Sequence, residues 1–309
     1  MTILAFLDTM MACLKYLQKV FTMITETQDD TYFRRMKSSL GDKSRILDHL
    51  VEGTVLDFGA GGGDLSDVIR QLGYDVVAVD GSPAAVAKIN VNYPEVNAVQ
   101  AMGHELLDHF PEKSFDNIVC CSILHEVFSY GDDVNAPYSL ESVFRMMTIF
   151  RKLLRDGGRL IIRDGVAPLD MDGKIFIKFK NDDGMNFLNA YSEQAPFYAD
   201  ENIAGGICLD KVDEFVVEGS MRSVMEFLYT YTWGWNSLPR ESQEVYGVFS
   251  LRDYSEMLSN HSFNTLSASE YVQQGYVDHL SKLVSIVDED GVDMPYPATN
   301  MLIVAEKKH

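Results

Sequence analysis

VLDFGAGGGDLSDVI, residues 55–69, carries an apolar run into a turn with four glycines in five positions, Gly59 to Gly63, and then into a helical pattern. A strand that empties into glycine-rich backbone and then a helix leaves free amide N–H groups where a cofactor must approach closely. An acid, Asp80, stands about 20 residues on, at the end of the next strand, where a carboxylate accepts hydrogen bonds from ribose hydroxyls. The dinucleotide fingerprint G-x-G-x-x-G begun at Gly59 requires glycine at position 64, and Asp64 stands there. A pyrophosphate clamp is therefore disfavoured, and a nicotinamide-dependent oxidoreductase with it. The Walker lysine is missing as well, which disfavours ATP.

Outward from this turn, strands and helices alternate. TVLDFG (54–59) reads as a strand and DLSDVIRQLG (64–73) as a helix. YDVVAVD (74–80) is a second strand, and SPAAVAKINVNY (82–93) a helix with Ser82 as N-cap and Pro83 at its first position. VNAVQA (96–101) is a third strand, and SFDNIVCCSIL (114–124) a fourth, apolar enough to be buried on both faces. LESVFRMMTIFRKLLRDGG (140–158) is an amphipathic helix with Gly157 as C-cap, followed by a fifth strand, RLIIRDG (159–165). This rhythm predicts a doubly wound parallel sheet. From 166 to 250 the repeat breaks into aromatic-rich sequence. It resumes with a helix (250–261) and two strands, FNTLSASEYV (263–272) and ATNMLIVAEK (298–307). The segment 273–297 is longer than a hairpin needs, which suggests that it covers something. The expected organisation is an N-terminal helical segment (1–50), a core (51–165), a covering insertion (166–250), and the final helix with strands six and seven (251–309).

The run Asp57-Phe58-Gly59-Ala60-Gly61-Gly62-Gly63, D-x-G-x-G-x-G, resembles motif I of the class I S-adenosylmethionine-dependent methyltransferases. VVAVDGSPAAVAKI resembles the second-strand motif, with Asp80 as the ribose acid. QAMGHEL falls where that family frames the adenine. SFDNIVCCSILHEV resembles motif IV, and LLRDGGRLIIRD the approach to strand five. The resemblance runs continuously through residues 50–165, and five motifs in order are far more specific than one. It implies a Rossmann-like α/β fold, a seven-stranded, mostly parallel sheet with a helical, aromatic insertion after strand five. It also implies S-adenosyl-L-methionine as cofactor. Asp57 and the backbone of Gly59, Gly61 and Gly63 suit the amino-acid end, and Asp80 with Gly81 and Ser82 the ribose. Met102 and Gly103 form a flat slot for adenine, and Ser122 falls in the motif IV loop facing the methionine.

Methyl transfer is an in-line displacement at an activated methyl group, so the principal work is alignment and exclusion of water. A base is needed only when the acceptor must lose a proton early. The loop after strand four offers His125, Glu126 and Tyr130, with His125 the best candidate base because it titrates near neutrality. A pocket-shaping role for that histidine is the competing reading. In the insertion, EFLYTYTWGWNSLPRE concentrates Tyr229, Tyr231, Trp233 and Trp235, with Arg240 nearby. At alternating positions in a strand these rings share one face and could stack on a flat or cationic acceptor; packing the insertion onto the core is the alternative. His104 and His279 read as ordinary. Motif IV lacks the (D/N)PP(Y/F) signature of base exocyclic-amine methylation, and Val119 precedes Cys120, so there is no Pro-Cys nucleophile.

A formal charge of −20, from 46 acids against 26 bases, disfavours bulk nucleic acid and favours a small or medium-sized acceptor. An RNA, tRNA or nucleotide methyltransferase is the alternative, with Arg34, Arg35 and Lys37 meeting phosphate. A non-catalytic cofactor- or partner-binding protein of the same fold is another. Cys13, Cys120, Cys121 and Cys208 show no zinc spacing, so no metal is expected and free thiols in a reducing cytoplasm are the simplest account. The opening MTILAFLDTMMACLKYLQKVF reads as an amphipathic helix that packs on the domain or on a second subunit, leaving a homodimer open. It is interrupted by Asp8 and lacks a leader's basic start, so no membrane contact is expected.

Overall fold

The computed structural model describes residues 40–132, 135–170, 172–203 and 205–308. The expected N-terminal helix, Cys13 and the basic residues Arg34, Arg35 and Lys37 lie outside the described residues. Among those described, no helix is long and apolar enough to cross a membrane.

The glycine turn joins β1 (Thr54–Phe58) to α1 (Asp64–Gln71). There follow β2 (Asp75–Asp80), α2 (Pro83–Asn92), β3 (Asn97–Gln100) and β4 (Phe115–Cys121). Ser82 caps α2, its hydroxyl accepting from the Ala85 N–H at 3.4 Å. α3 (Leu124–Tyr130) and α4 (Leu140–Leu153) lead to β5 (Leu154–Gly165). α4 ends five residues earlier than its apolar pattern suggests. Leu154 is fully buried and already extended beside Phe115, so Gly157 sits within the strand's entry and is not the helix cap.

The main sheet has seven strands in the order β3-β2-β1-β4-β5-β11-β9, with β9 at Phe263–Tyr271 and β11 at Asn300–Lys307. All pairings among the first five are parallel, and β11 runs antiparallel to both its neighbours. Alternation along each strand feeds two cores. Leu56, Ile118, Cys120, Leu160 and Ile162 point to one face, and Val55, Val119, Cys121 and Ile161 to the other. The two adjacent cysteines thus part to opposite sides of the sheet, as their spacing requires.

The insertion is not purely helical. β6 (Lys174–Phe179), β7 (Leu209–Asp213) and β8 (Val216–Ser220) join β10 (Val284–Val287) in a second, antiparallel sheet ordered β10-β6-β8-β7. KIFIKF alternates strictly, burying Ile175, Ile177 and Phe179, which is strand patterning within an otherwise irregular region. Because β10 comes from the segment after β9, the covering layer is built from two separate stretches of chain, and the expected boundary at 250 divides what the sheet unites. Two helices pack on it, α5 (Asp182–Gln194) and α6 (Met221–Trp233).

Candidate functional site

At the carboxyl ends of β1, β2, β4 and β5 a single cavity of about 700 Å³ opens beneath α6 and residues 273–279. That is the size of a ligand pocket, about 300–1,000 Å³, at the edge where open α/β sheets collect ligands.

One end is the glycine turn. Gly59 has φ +74°, and a Cβ there would lie 2.4 Å from Ile123 Cγ1, so only glycine allows the chain to turn under that side chain. Asp80, at the tip of β2, accepts from the Gly61 N–H at 2.7 Å through one oxygen and from the Ser82 N–H at 2.8 Å through the other. Each oxygen keeps a lone pair on the cavity side, which suits a ribose diol. Gly81, Ser82, Met102 and Gly103 line the same end, with Met102 41% exposed as a flat apolar floor. Ser122 lines the cavity at φ +59°, its hydroxyl accepting from Arg163 Nη1 at 2.7 Å. These residues fit the ribose, adenine and amino-acid parts of the expected cofactor, with two exceptions. Gly63 lies outside the cavity lining and acts as the left-handed N-cap of α1, at φ +80°.

Asp57 is the second correction. It is 1% exposed beneath the turn and absent from the cavity wall, accepting from Ser66 Oγ at 2.5 Å. Burial, opposed by that hydrogen bond, pushes its carboxyl up to about 6. The folded value exceeds the unfolded one of 3.8, so this group favours the native state at low pH and loses that contribution as the pH rises to about 6. Asp57→Asn is accordingly expected to stabilise the protein at pH 7.5 by up to about 3 kcal/mol. The gain should vanish near pH 3.5 in urea unfolding. An equal effect at both values would show that the carboxyl's ionisation is not what is being relieved.

The other end is a buried polar cluster. His125 Nδ1 meets Asp164 Oδ1 at 2.6 Å, and its Nε2 lies 3.5 Å from Glu244 Oε2. Tyr130 donates to Glu244 Oε1 at 2.7 Å. Arg240 Nη2 reaches Glu126 Oε2 at 3.3 Å, and its Nε reaches Glu244 Oε1 at 3.4 Å. Burial alone would drive a proton off His125, but Asp164 and then Glu244 outweigh it and hold the imidazole's pKa well above its ordinary value. His125 is thus pinned between two carboxylates that favour its protonated form, an arrangement that suits it less as a base than the sequence reading expects. Tyr130 is no readier: burial, then Glu244, push its phenol well up. Glu126 keeps one face toward the cavity, and burial raises its carboxyl to about 7. His125, Glu126 and Glu244 bring one ligand atom each within 4.8 Å of one another. Arg240 already bridges both glutamates there and supplies the positive charge a cation would bring.

The aromatic residues divide. They stand on a helix, not a strand, so positions four apart share a face. Tyr229 and Trp233 line the cavity with Thr232. Tyr231 turns away to stack on Phe227, centroids 5.4 Å apart, and Trp235, beyond the helix end, donates to Asp183 Oδ1 at 2.7 Å. Arg240 is buried in the ion cluster and does not face the cavity.

Several wall residues carry no isolated motif: Arg163, Asp164, Glu241, Glu244, Tyr246 and Tyr276. Arg163 and Asp164 end β5 next to the loop after β4, and the strand-edge rule could have marked them. His104 and His279, read as ordinary, also line the wall.

Residues 56–162 match a family model described as "Methyltransferase domain". An uncharacterized methyltransferase from Synechocystis is 30% identical over 114 residues, which cover 37% of this chain and 48% of that protein. The match thus spans about half the length of the curated relative. A SAM-dependent methyltransferase from Archaeoglobus fulgidus superposes with a TM-score of 0.51 at 11% identity, over 90% of this chain and 100% of that one. An S-adenosylmethionine-dependent methyltransferase from Mesorhizobium loti gives 0.49 at 15% identity, over 85% and 96%. At 11% identity the Archaeoglobus superposition speaks to the fold alone.

Proposed function

We infer that this chain, whose residues 56–162 match a methyltransferase-domain model, is a class I S-adenosylmethionine-dependent enzyme that methylates a small or medium-sized acceptor. The observation that carries this reading is the continuity of the cavity. One space of about 700 Å³ joins the Asp80 and glycine-turn end to a wall of rings and acids supplied by the insertion.

When bound, S-adenosylmethionine supplies a methyl group already activated by a sulfonium, displaced in line by the acceptor. The chain's own part is placement. Asp80 would hold the ribose hydroxyls, while its acceptance of the Gly61 and Ser82 N–H groups keeps the turn in shape. Asp164 accepts from the Leu124 N–H at 2.8 Å as well as from His125, tying the loop after β4 to the end of β5. α6 and the helix Gln274–Leu280 line the cavity and shield part of it from solvent. Nucleic acid is the poorer reading, because the inner wall presents Asp80, Glu126, Asp164, Glu241 and Glu244 where phosphate would have to pass.

Calorimetry with S-adenosylmethionine and with S-adenosylhomocysteine tests the cofactor half directly. Binding of both with one-to-one stoichiometry is expected; no heat from either would overturn the reading. Binding of both with no methylated product from any small-molecule pool would point instead to the non-catalytic alternative.

A further inference from the structure

The inner wall has a composition that the reaction type alone does not explain. It gathers Asp164, Glu126, Glu241 and Glu244, while His125 and Arg240 are the cations set among them. His125 is consumed by Asp164 and Glu244, and Arg240 by Glu126 and Glu244. With Asp80 and Asp132 the wall holds six carboxylates, against Lys43, Arg163, His125 and the buried Arg240 as cations, and Glu126 is the acid of this cluster with a partly exposed face. Facing Glu126 are Arg240 and Glu244 from the stretch after α6, its neighbour His125, and Asp80 from β2. Burial leads in raising Glu126 to about 7 and Glu241 to about 8, with Glu244 among the charges that add to each.

A second observation points the same way. Rings line the cavity beside these acids, Tyr246 sandwiched between His125 and Tyr229 with Tyr276 and Trp233 on the same wall. Tyr246 stacks on His125 at 4.8 Å and on Tyr229 at 5.2 Å, and Tyr276 stands edge-on to Tyr229 at 5.7 Å. Aromatic faces and surplus carboxylate together attract an organic cation and repel an anion.

Resting on the methyltransferase reading, we propose that the acceptor is an amine that enters as its ammonium, and that Glu126 is the catalytic residue that takes its proton. The ammonium N–H passes its proton to the Glu126 carboxylate, and the freed nitrogen lone pair forms the new N–C bond. The methyl–sulfur bond breaks with its electron pair left on sulfur, so the sulfonium becomes a neutral thioether. The product leaves as the N-methylammonium, and Glu126 returns its proton to solvent. A base near neutrality suits this task, since it is ionised when the ammonium arrives and basic enough to accept.

The test uses isosteres that differ in charge: phenethylamine, 2-phenylethanol and 3-phenylpropanoate, each titrated into the protein saturated with S-adenosylhomocysteine. The amine is expected to bind at least about tenfold more tightly than the alcohol, a difference of about 1.4 kcal/mol, with no detectable binding of the acid. Equal or tighter binding of the alcohol or acid, or no binding of the amine, would overturn the proposal while leaving the cofactor reading intact. Loss of S-adenosylhomocysteine binding would remove both. Glu126→Gln should keep S-adenosylhomocysteine affinity and lower methylation of phenethylamine about 100-fold or more at pH 7. The rate should recover as the pH passes the amine's own pKa, because free amine then needs no base. A deficit that stays constant with pH would assign Glu126 a structural role and end the proposal.

Discussion

Arg240→Met is expected to destabilise the protein by about 3–5 kcal/mol at pH 7.5, the loss seen when one partner is removed from a buried ion cluster. Arg240 is 3% exposed and lies against Glu126 at 3.3 Å and Glu244 at 3.4 Å. Removing it strands Glu126 and leaves Glu244 to His125 alone beside Glu241, and methionine fills the volume without replacing the charge. The penalty should shrink as the pH falls. Glu126 and Glu241, raised to about 7 and about 8, take up protons between pH 8 and 5.5, and neutral carboxyls no longer repel. Urea unfolding at pH 7.5 and 5.5 measures both effects. A loss below about 1 kcal/mol, or one equal at the two values, would mean that Arg240 serves packing and not charge balance.

Asp80→Ala should weaken S-adenosylhomocysteine binding by about 100-fold or more, near 3 kcal/mol. Two separate losses combine. The ribose loses its acceptors, and the Gly61 and Ser82 N–H groups lose the carboxylate that holds the glycine turn in shape. Asp80→Asn discriminates between them: its amide oxygen still serves one N–H, but its NH₂ faces the other. The asparagine is expected to retain part of the affinity in calorimetry. Unchanged affinity in the alanine variant would place the ribose elsewhere.

The cofactor end was legible because its chemistry is local. The turn, the strand before it and the acid on the next strand lie within about 25 residues, and backbone geometry there follows from glycine and strand spacing alone. The buried polar end of the cavity is assembled from Glu126, Asp164, Arg240 and Glu244, brought together by hydrogen bonds across 39 and 114 positions of chain. No window of sequence contains them. The aromatic stretch shows the same limit in a different form. Residues 229–235 alternate rings at every second position, which reads as a strand. Packing of Tyr229 and Phe227 under the cover favoured a helix, and the change of period from 2 to 3.6 sent Trp233 to the cavity and Tyr231 away from it, while Trp235, past the helix end, reaches Asp183. The second sheet was missed because β10, one of its four strands, lies beyond the final helix and β9, far from its partner β6.

By itself, then, the sequence determined the doubly wound sheet and the class of cofactor, since both are written in short-range periodicity and in a glycine turn whose backbone is its own binding site. Tertiary structure alone decided which carboxylates and cations meet. That choice set His125 between two carboxylates that favour its protonated form and left Glu126 facing the cavity, because a buried group's pKa depends on the charges packed around it and not on its place in the chain.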